Sequence, residues 1–232
     1  MGVIMDNKSI NHYDDGVASA LGKKVYYSGL RFYQRSEVLY HLTLNFTKRY
    51  YPKFGDRTVD QMVQAARSTM QNIVEGCVDG QTSSESLLKL LGIARGSNQE
   101  LLKDYDTYLK HNDLGEWFMV NKQRFNDLHN YCAEHSAFED FKDLFPKLND
   151  EELANMALCL CHQVDSALEK YIKRKDREFT TEGGTRERMM AARLKQRATQ
   201  KEIIENQSHE IENLKREIFR LEQLLKNNNI AF

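Results

Sequence analysis

Few residues in this chain have the types and spacing for chemistry, and helical geometry disposes of the most suggestive group. Cys159, Cys161 and His162 lie close enough in sequence to suggest a metal site. Their segment has a helical pattern, and on a helix residues two apart point about 200° away from each other. The two thiols therefore cannot meet one ion. Cys159 and Cys161 read as packed apolar thiols, and the four cysteines, Cys77, Cys132, Cys159 and Cys161, lack the paired spacing of a secreted disulfide framework and read as reduced. His41, His111, His129 and His135 are scattered, and the His129-x₅-His135 spacing is weak evidence for a site. No Ser-His-Asp set or pair of catalytic carboxylates can be assembled, and no Gly-rich lysine motif follows a strand. The expectation is a protein without catalysis, metal or cofactor, whose function lies in its surfaces.

Two surfaces stand out, and they are adjacent. Between Lys173 and Lys201 the basic residues are Lys173, Arg174, Lys175, Arg177, Arg186, Arg188, Arg193, Lys195, Arg197 and Lys201, against the acidic Asp176, Glu178, Glu182 and Glu187. Beyond them Ile204, Ile211, Ile218 and Leu225 recur seven apart, with Leu214 and Leu221 on the alternate seam and Gln200 and Gln207 earlier on that same seam. That is the heptad pattern of a coiled coil. A basic segment before a zipper resembles a basic-leucine-zipper DNA reader. Aligned on Ala191-Ala192, however, the base-reading asparagine position holds Arg188. What remains is phosphate contact, which needs charge and not sequence, set against a solvated linker and helix.

These residues must be positioned by helices. Of 232 residues, only Pro52 and Pro146 are prolines and 29% are charged, a composition that favours an all-α chain. A formal net charge of −1 argues against a coat basic throughout. The first residues lack a signal peptide's apolar run, and no stretch is long and apolar enough to span a membrane, so a cytoplasmic location is expected. Residues 1–30 read as an arm, with Val25, Tyr26, Tyr27 and Leu30 docking onto the body. A first helix is predicted over 34–50 with Val38, Leu39, Leu42 and Phe46 buried, ended by Pro52. A second opens at Asp56 as N-cap with a stripe of Val59, Met62, Val63, Ala66, Met70, Ile73 and Val74, and stops at Gly76 and Gly80. Thr82 and Glu85 fit a capping box for a third helix of about 28 residues, roughly 40 Å long, through Leu87, Leu88, Leu91, Ala94, Leu101, Leu102, Tyr105 and Leu109. The aromatic-rich segment 115–148 reads as two short helices capping one end. Asn149 or Asp150 caps a fourth long helix with Leu153, Ala157, Leu160, Val164, Leu168 and Tyr171 buried. The expected architecture is an antiparallel up-down four-helix bundle over 31–178, a linker at 179–185, and a basic helical and coiled-coil suffix over 186–232.

The run Ser68-x-x-x-Asn72-Ile73-Val74-Glu75-Gly76 resembles a signature of the bacterial four-helix-bundle proteins encoded in ribosomal-RNA intervening sequences. The run from Leu91 to Leu101, with Ala94, Gly96, Ser97 and Glu100, resembles that family's second signature. The similarity covers about residues 33–112 well and 150–172 loosely, and Glu182 onward looks like a suffix found in some members. The resemblance implies an up-down bundle protomer that assembles into a homo-oligomeric ring, typically a pentamer. It also implies kinship with the accessory variability determinants of diversity-generating retroelements, whose ring binds a reverse transcriptase and RNA. Two departures are the 115–148 insertion and the absence of an overall basic charge. The polar signature residues Arg67, Asn72, Glu75, Arg95 and Glu100 read as register-fixing bonds between helices or protomers in preference to a binding surface, and Gly76, Gly92 and Gly96 as close-approach or turn positions. The expected function is a scaffold or adaptor that assembles with a nucleic-acid-handling partner and contacts RNA or DNA through basic surfaces. The alternative is a structural homo-oligomer whose coiled coil recruits a protein.

Overall fold

The computed structural model describes residues 26–52 and 56–227, and every regular element among them is helical. After a 3₁₀ turn at Tyr27–Gly29 come α1 (Arg31–Tyr50), α2 (Arg57–Asp79), α3 (Ser84–His111), α4 (Trp117–Val120), α5 (Lys122–Glu134), α6 (Phe138–Phe141), α7 (Asp150–Glu182) and α8 (Thr185–Asn227). The chain forms two compact units, one reaching to Thr185 and one from Arg186 onward. In the first unit α2 packs on α1 and α3, and α7 packs on the same two helices. Val25, expected to dock, lies outside the described residues. Tyr27 and Leu30 are half-buried against the core around Phe32 and Tyr171, whereas Tyr26 points outward.

Local chemistry accounts for most boundaries. Asp56 caps α2, its carboxylate accepting from the Thr58 N–H at 2.9 Å. Asn149 and Glu152 form a reciprocal capping box at α7, at 2.9 and 3.0 Å. At α3 the cap is one residue later than the sequence suggests. Ser83 accepts from the Ser86 N–H at 3.1 Å, and the Thr82 hydroxyl turns back to donate to the Asp79 carbonyl at 3.0 Å.

The buried stripe of α1 follows the expected residues, and that of α3 does so except that Leu88 and Leu102 are only half-buried. α7 buries its expected stripe and every residue from Leu153 to Cys161 besides, while the stripe of α2 is rotated. Its enclosed residues are Met62, Ala65, Ala66, Thr69, Ile73, Gly76 and Cys77, and Val59, Val63, Met70 and Val74 are only half-buried. Small side chains on this face let α3 come close. Gly76 does not stop α2 but lies inside it: a Cβ there would meet the Leu90 Cβ at 3.3 Å and the Leu87 carbonyl oxygen at 3.6 Å. The expected linker is likewise mostly helix. α7 runs through Glu182, and the break falls at Gly183, whose φ of 75° and ψ of 169° suit glycine almost alone.

The 115–148 insertion forms three helices, not two, and lies along the flank of α1 and α7 instead of across one end. Near the start of α1, Arg35 donates to the carbonyls of Cys132 and Ala133 at 3.2 and 3.0 Å. Midway, the His41 and Phe138 rings stand 4.2 Å apart. Towards its end, Arg49 donates to the carbonyls of Phe145 and Leu148 at 2.6 and 2.9 Å. On α7, Asn155 accepts from the Trp117 N–H at 2.8 Å and donates to the Gly115 carbonyl at 2.9 Å.

Two glycine substitutions should separate packing from propensity. Gly76→Ala must displace Leu90 and is expected to destabilise the fold by about 1–3 kcal/mol. At Gly96 no heavy atom stands within 4 Å of the place a Cβ would take, so Gly96→Ala should gain about 0.5–1 kcal/mol in an isolated chain. Urea unfolding of the two variants reads both signs.

Candidate interaction surfaces and the polar network behind them

Within the two signatures Ser68, Ser97 and Arg95 bond between helices, whereas Asn72 bonds within α2. Asn72 donates from Nδ2 to the Ser68 carbonyl at 2.8 Å and to its hydroxyl at 3.0 Å, and the Ser97 hydroxyl of α3 donates to the Ser68 hydroxyl at 3.0 Å. Arg95 reaches from α3 to α7, with Nε to Asp165 Oδ1 at 2.7 Å and Nη2 to Asp165 Oδ2 and Glu169 Oε2, each at 3.2 Å. Arg67, Glu75 and Glu100 face outward and take no part. Gly92 and Gly96 are also exposed, with nothing within 4 Å of a Cβ position. Neither is a close-approach position within the chain.

Two polar residues outside the sequence expectations, Asn98 and Thr43, complete this network. Asn98, fully buried, donates to the Cys161 carbonyl at 2.9 Å, while its Oδ1 is enclosed without a partner. Thr43 Oγ1 accepts from the Tyr105 hydroxyl at 3.0 Å, both residues being fully buried. Asn98 sits in the second signature and occupies a stripe position between Ala94 and Leu101. That periodicity was the available signal, masked by the rule that such positions are apolar.

The ten basic residues divide between the two units, Lys173 to Arg177 in the first and Arg186 to Lys201 in the second. In the first unit most are already engaged. Lys173 pairs with Glu169 at 2.5 Å, and Arg174 and Lys175 pair with Glu178 at 3.8 and 2.6 Å. Arg177 donates to the Lys173 carbonyl at 3.2 Å, and the Arg174 guanidinium stands 4.9 Å from the centre of the Tyr171 ring. In the second unit Arg186, Arg193, Lys195 and Arg197 are exposed and make no ion pair among the described residues. Arg186, Arg193 and Arg197 share one shallow groove with Met189, Met190 and Leu194.

α8 is an unbroken helix of 43 residues, with Lys201–Glu205 and Glu212–Arg216 pairs along its surface. Its heptad residues are exposed: Ile204 by 61%, Ile211 by 53%, Leu214 by 57%, Ile218 by 56% and Leu221 by 50%, with Leu225 half-buried. Followed towards the N-terminus, the seam of Leu221 and Leu214 passes through Gln207 and Gln200 to Arg193. The seam of Ile218 and Ile204 passes to Arg197. One face thus runs from apolar through amide to cationic.

Comparison of the chain with protein-family profiles, with curated proteins and with solved structures gave no match.

The Arg95 cluster has a pH signature. Burial works to raise the Asp165 carboxyl, but hydrogen bonds from Arg95 and Gln99 and the Arg95 charge outweigh it and hold it below the ordinary aspartate value. A carboxylate whose folded value is depressed stabilises the fold above its unfolded value, and that contribution is lost as pH falls through the folded one. The pair therefore contributes in full above about pH 4 and fades in more acidic solution. Arg95→Leu should lower the thermal midpoint at neutral pH and flatten its acid dependence below about pH 4. Midpoints measured from pH 2 to 7 test both.

Proposed function

We propose that the chain is a non-enzymatic oligomeric scaffold that assembles with a nucleic-acid-handling partner and contacts RNA or DNA through the basic start of α8. The observation that carries this is the graded face of α8, on which Arg193 and Arg197 continue the same two seams as the exposed isoleucines and leucines. Five apolar seam residues left about half in water forgo on the order of 5 kcal/mol per chain, comparable to the net stability of a small domain. Such a face calls for another helix.

Its own copy, laid parallel, suits it best. Ile at one seam and Leu at the other favours two parallel strands, and parallel pairing sets Gln200 and Gln207 against themselves. Reversing one strand so that Ile204 meets Leu221 sets Ile218 against Gln207 and Leu225 against Gln200, burying amides opposite alkyl groups. Charge at the flanks is neutral on the matter: parallel strands bring Glu210 to Lys215 but Glu217 to Glu222. At the N-terminal end, paired Arg193 and Arg197 repel each other and spread the strands, and a polyanion between them relieves the repulsion.

The two sequence signatures support a wider assembly. Their resemblance to the intervening-sequence bundle proteins implies an up-down four-helix protomer in a ring, with a reverse transcriptase as one partner chemistry. The packing of α1, α2, α3 and α7 and the inter-helix role of Ser68, Ser97 and Arg95 accord with that protomer. Helices that pair two at a time do not all find partners inside a five-fold ring, so α8 would join one ring to another. The second reading, a structural homo-oligomer whose coiled coil recruits a protein, draws on the neutralised basic residues at the end of α7.

Salt titration separates the readings. Fluorescently labelled RNA and DNA oligomers are expected to bind, with affinity falling at least about tenfold between 50 and 200 mM salt. Changing Arg193, Lys195 and Arg197 together to Gln should abolish most of that slope. Absence of binding at low salt would leave only the protein-recruiting reading.

A further inference from the structure

The insertion brings one cysteine of α5 to one of α7. Cys132 and Cys159 are both buried in one core cluster, where α5 packs on α7, and the two thiols are coupled, a hydrogen bond between them acting on each. The contact is braced on two sides. Arg35 Nε donates to the Cys132 carbonyl at 3.2 Å. Gln163 Nε2 reaches both Cys159 Sγ at 3.7 Å and the His129 carbonyl at 3.3 Å, while Gln163 Oε1 is enclosed without a partner.

Cys159 also lines a partly open cavity of about 550 Å³, together with Arg35, Phe125, His129, His162 and Gln163. The other two cysteines differ. Cys161 is wholly enclosed, and burial pushes its thiol up. Cys77 sits in the separate core around Leu87 and Leu91, and burial pushes its thiol up to about 11. The Cys159 thiol is held below its ordinary value by the Cys132 hydrogen bond, against burial and with help from Arg35. Cys132 is pushed well up by the same bond and by burial. One sulfur of the pair is therefore the easier to deprotonate and lies beside a cavity, and the other holds its proton more tightly.

We propose that Cys132 and Cys159 are a peroxide-reactive dithiol, in which Cys159 is oxidised from the cavity and Cys132 closes a disulfide that staples the insertion to α7. In the first step the Cys159 sulfur attacks one oxygen of hydrogen peroxide. The O–O bond breaks, sulfenic acid forms, and hydroxide leaves and takes a proton to become water. In the second step the Cys132 sulfur attacks the sulfenic sulfur, and the S–O bond breaks with release of a second water. Two thiols lose two electrons and the peroxide gains them. The ordinary reading, inert packed thiols, accounts for Cys77 and Cys161 and leaves the cationic, cavity-facing setting of Cys159 unexplained.

The test uses the reduced full chain treated with hydrogen peroxide and then denatured and alkylated. The four free thiols should fall to two, with a mass loss of two hydrogen atoms, a linked Cys132–Cys159 peptide, and recovery with dithiothreitol. Cys132→Ser should stop at a sulfenic acid on Cys159, trapped by dimedone. Cys159→Ser should leave Cys132 at least about tenfold slower to react, since reaction follows thiolate character. Oxidation of Cys77 or Cys161 at a comparable rate in the wild-type chain, or no linked peptide, overturns the proposal without needing either variant to fold.

Discussion

The first unit depends on one constraint, which is that α7 is enclosed on every side from Leu153 to Cys161. A helix facing one layer buries a stripe. A helix whose consecutive residues are all buried needs neighbours all round it, and α1, α3 and α5 supply them. The polar bonds meet on the same helix: Asn98 and Arg95 from α3, and the backbone of Gly115 and Trp117 at the start of the insertion, end at Cys161, Asp165 and Asn155. Apolar enclosure supplies stability, and these bonds select one register, since a slip would leave each buried donor unmade.

That constraint explains where the sequence was legible. Long helices with one buried face announce themselves by period, and Val38, Leu39, Leu42, Phe46, Leu91, Leu101, Leu160 and Leu168 all lie where the spacing puts them. The caps at Asp56 and Asn149 were equally readable because their side-chain chemistry is local. What failed was whatever needs a second surface to interpret. Segment 115–148 has no strong period because its short helices contact α7 through a few aromatic and polar groups. Its place along the flank follows from Arg35 and Arg49, which read as ordinary charged residues in α1. Leu158 and Cys159 fell outside the predicted stripe for the same reason, since their partners come from that insertion. On α2 the rotation towards Ala65, Ala66, Thr69 and Gly76 reflects closeness to α3, which spacing alone does not encode.

The candidate surfaces were legible to a different degree. The heptads were plain in the sequence, and α8 carries them as an unbroken exposed face. The basic stretch read as one feature, yet it is two: a neutralised part at the end of α7, and a part on α8 in which Arg193, Lys195 and Arg197 make no ion pair among the described residues. The difference lies in Glu169 and Glu178, whose i,i+4 and i,i+3 partners are basic, whereas no acid stands one turn from Arg193 or Arg197. Charge totals over a segment hide this, and helical spacing recovers it.

Ile204, Ile211 and Ile218 stand more than half exposed, and self-association to bury them is the proposal on which the scaffold reading rests. Its most direct test is the molar mass of the full chain in solution by light scattering across micromolar concentrations. The expected result is a multiple of the 27.1 kDa chain mass, reduced when Ile211 and Ile218 are both changed to Asp. A mass of one chain at every concentration would contradict it.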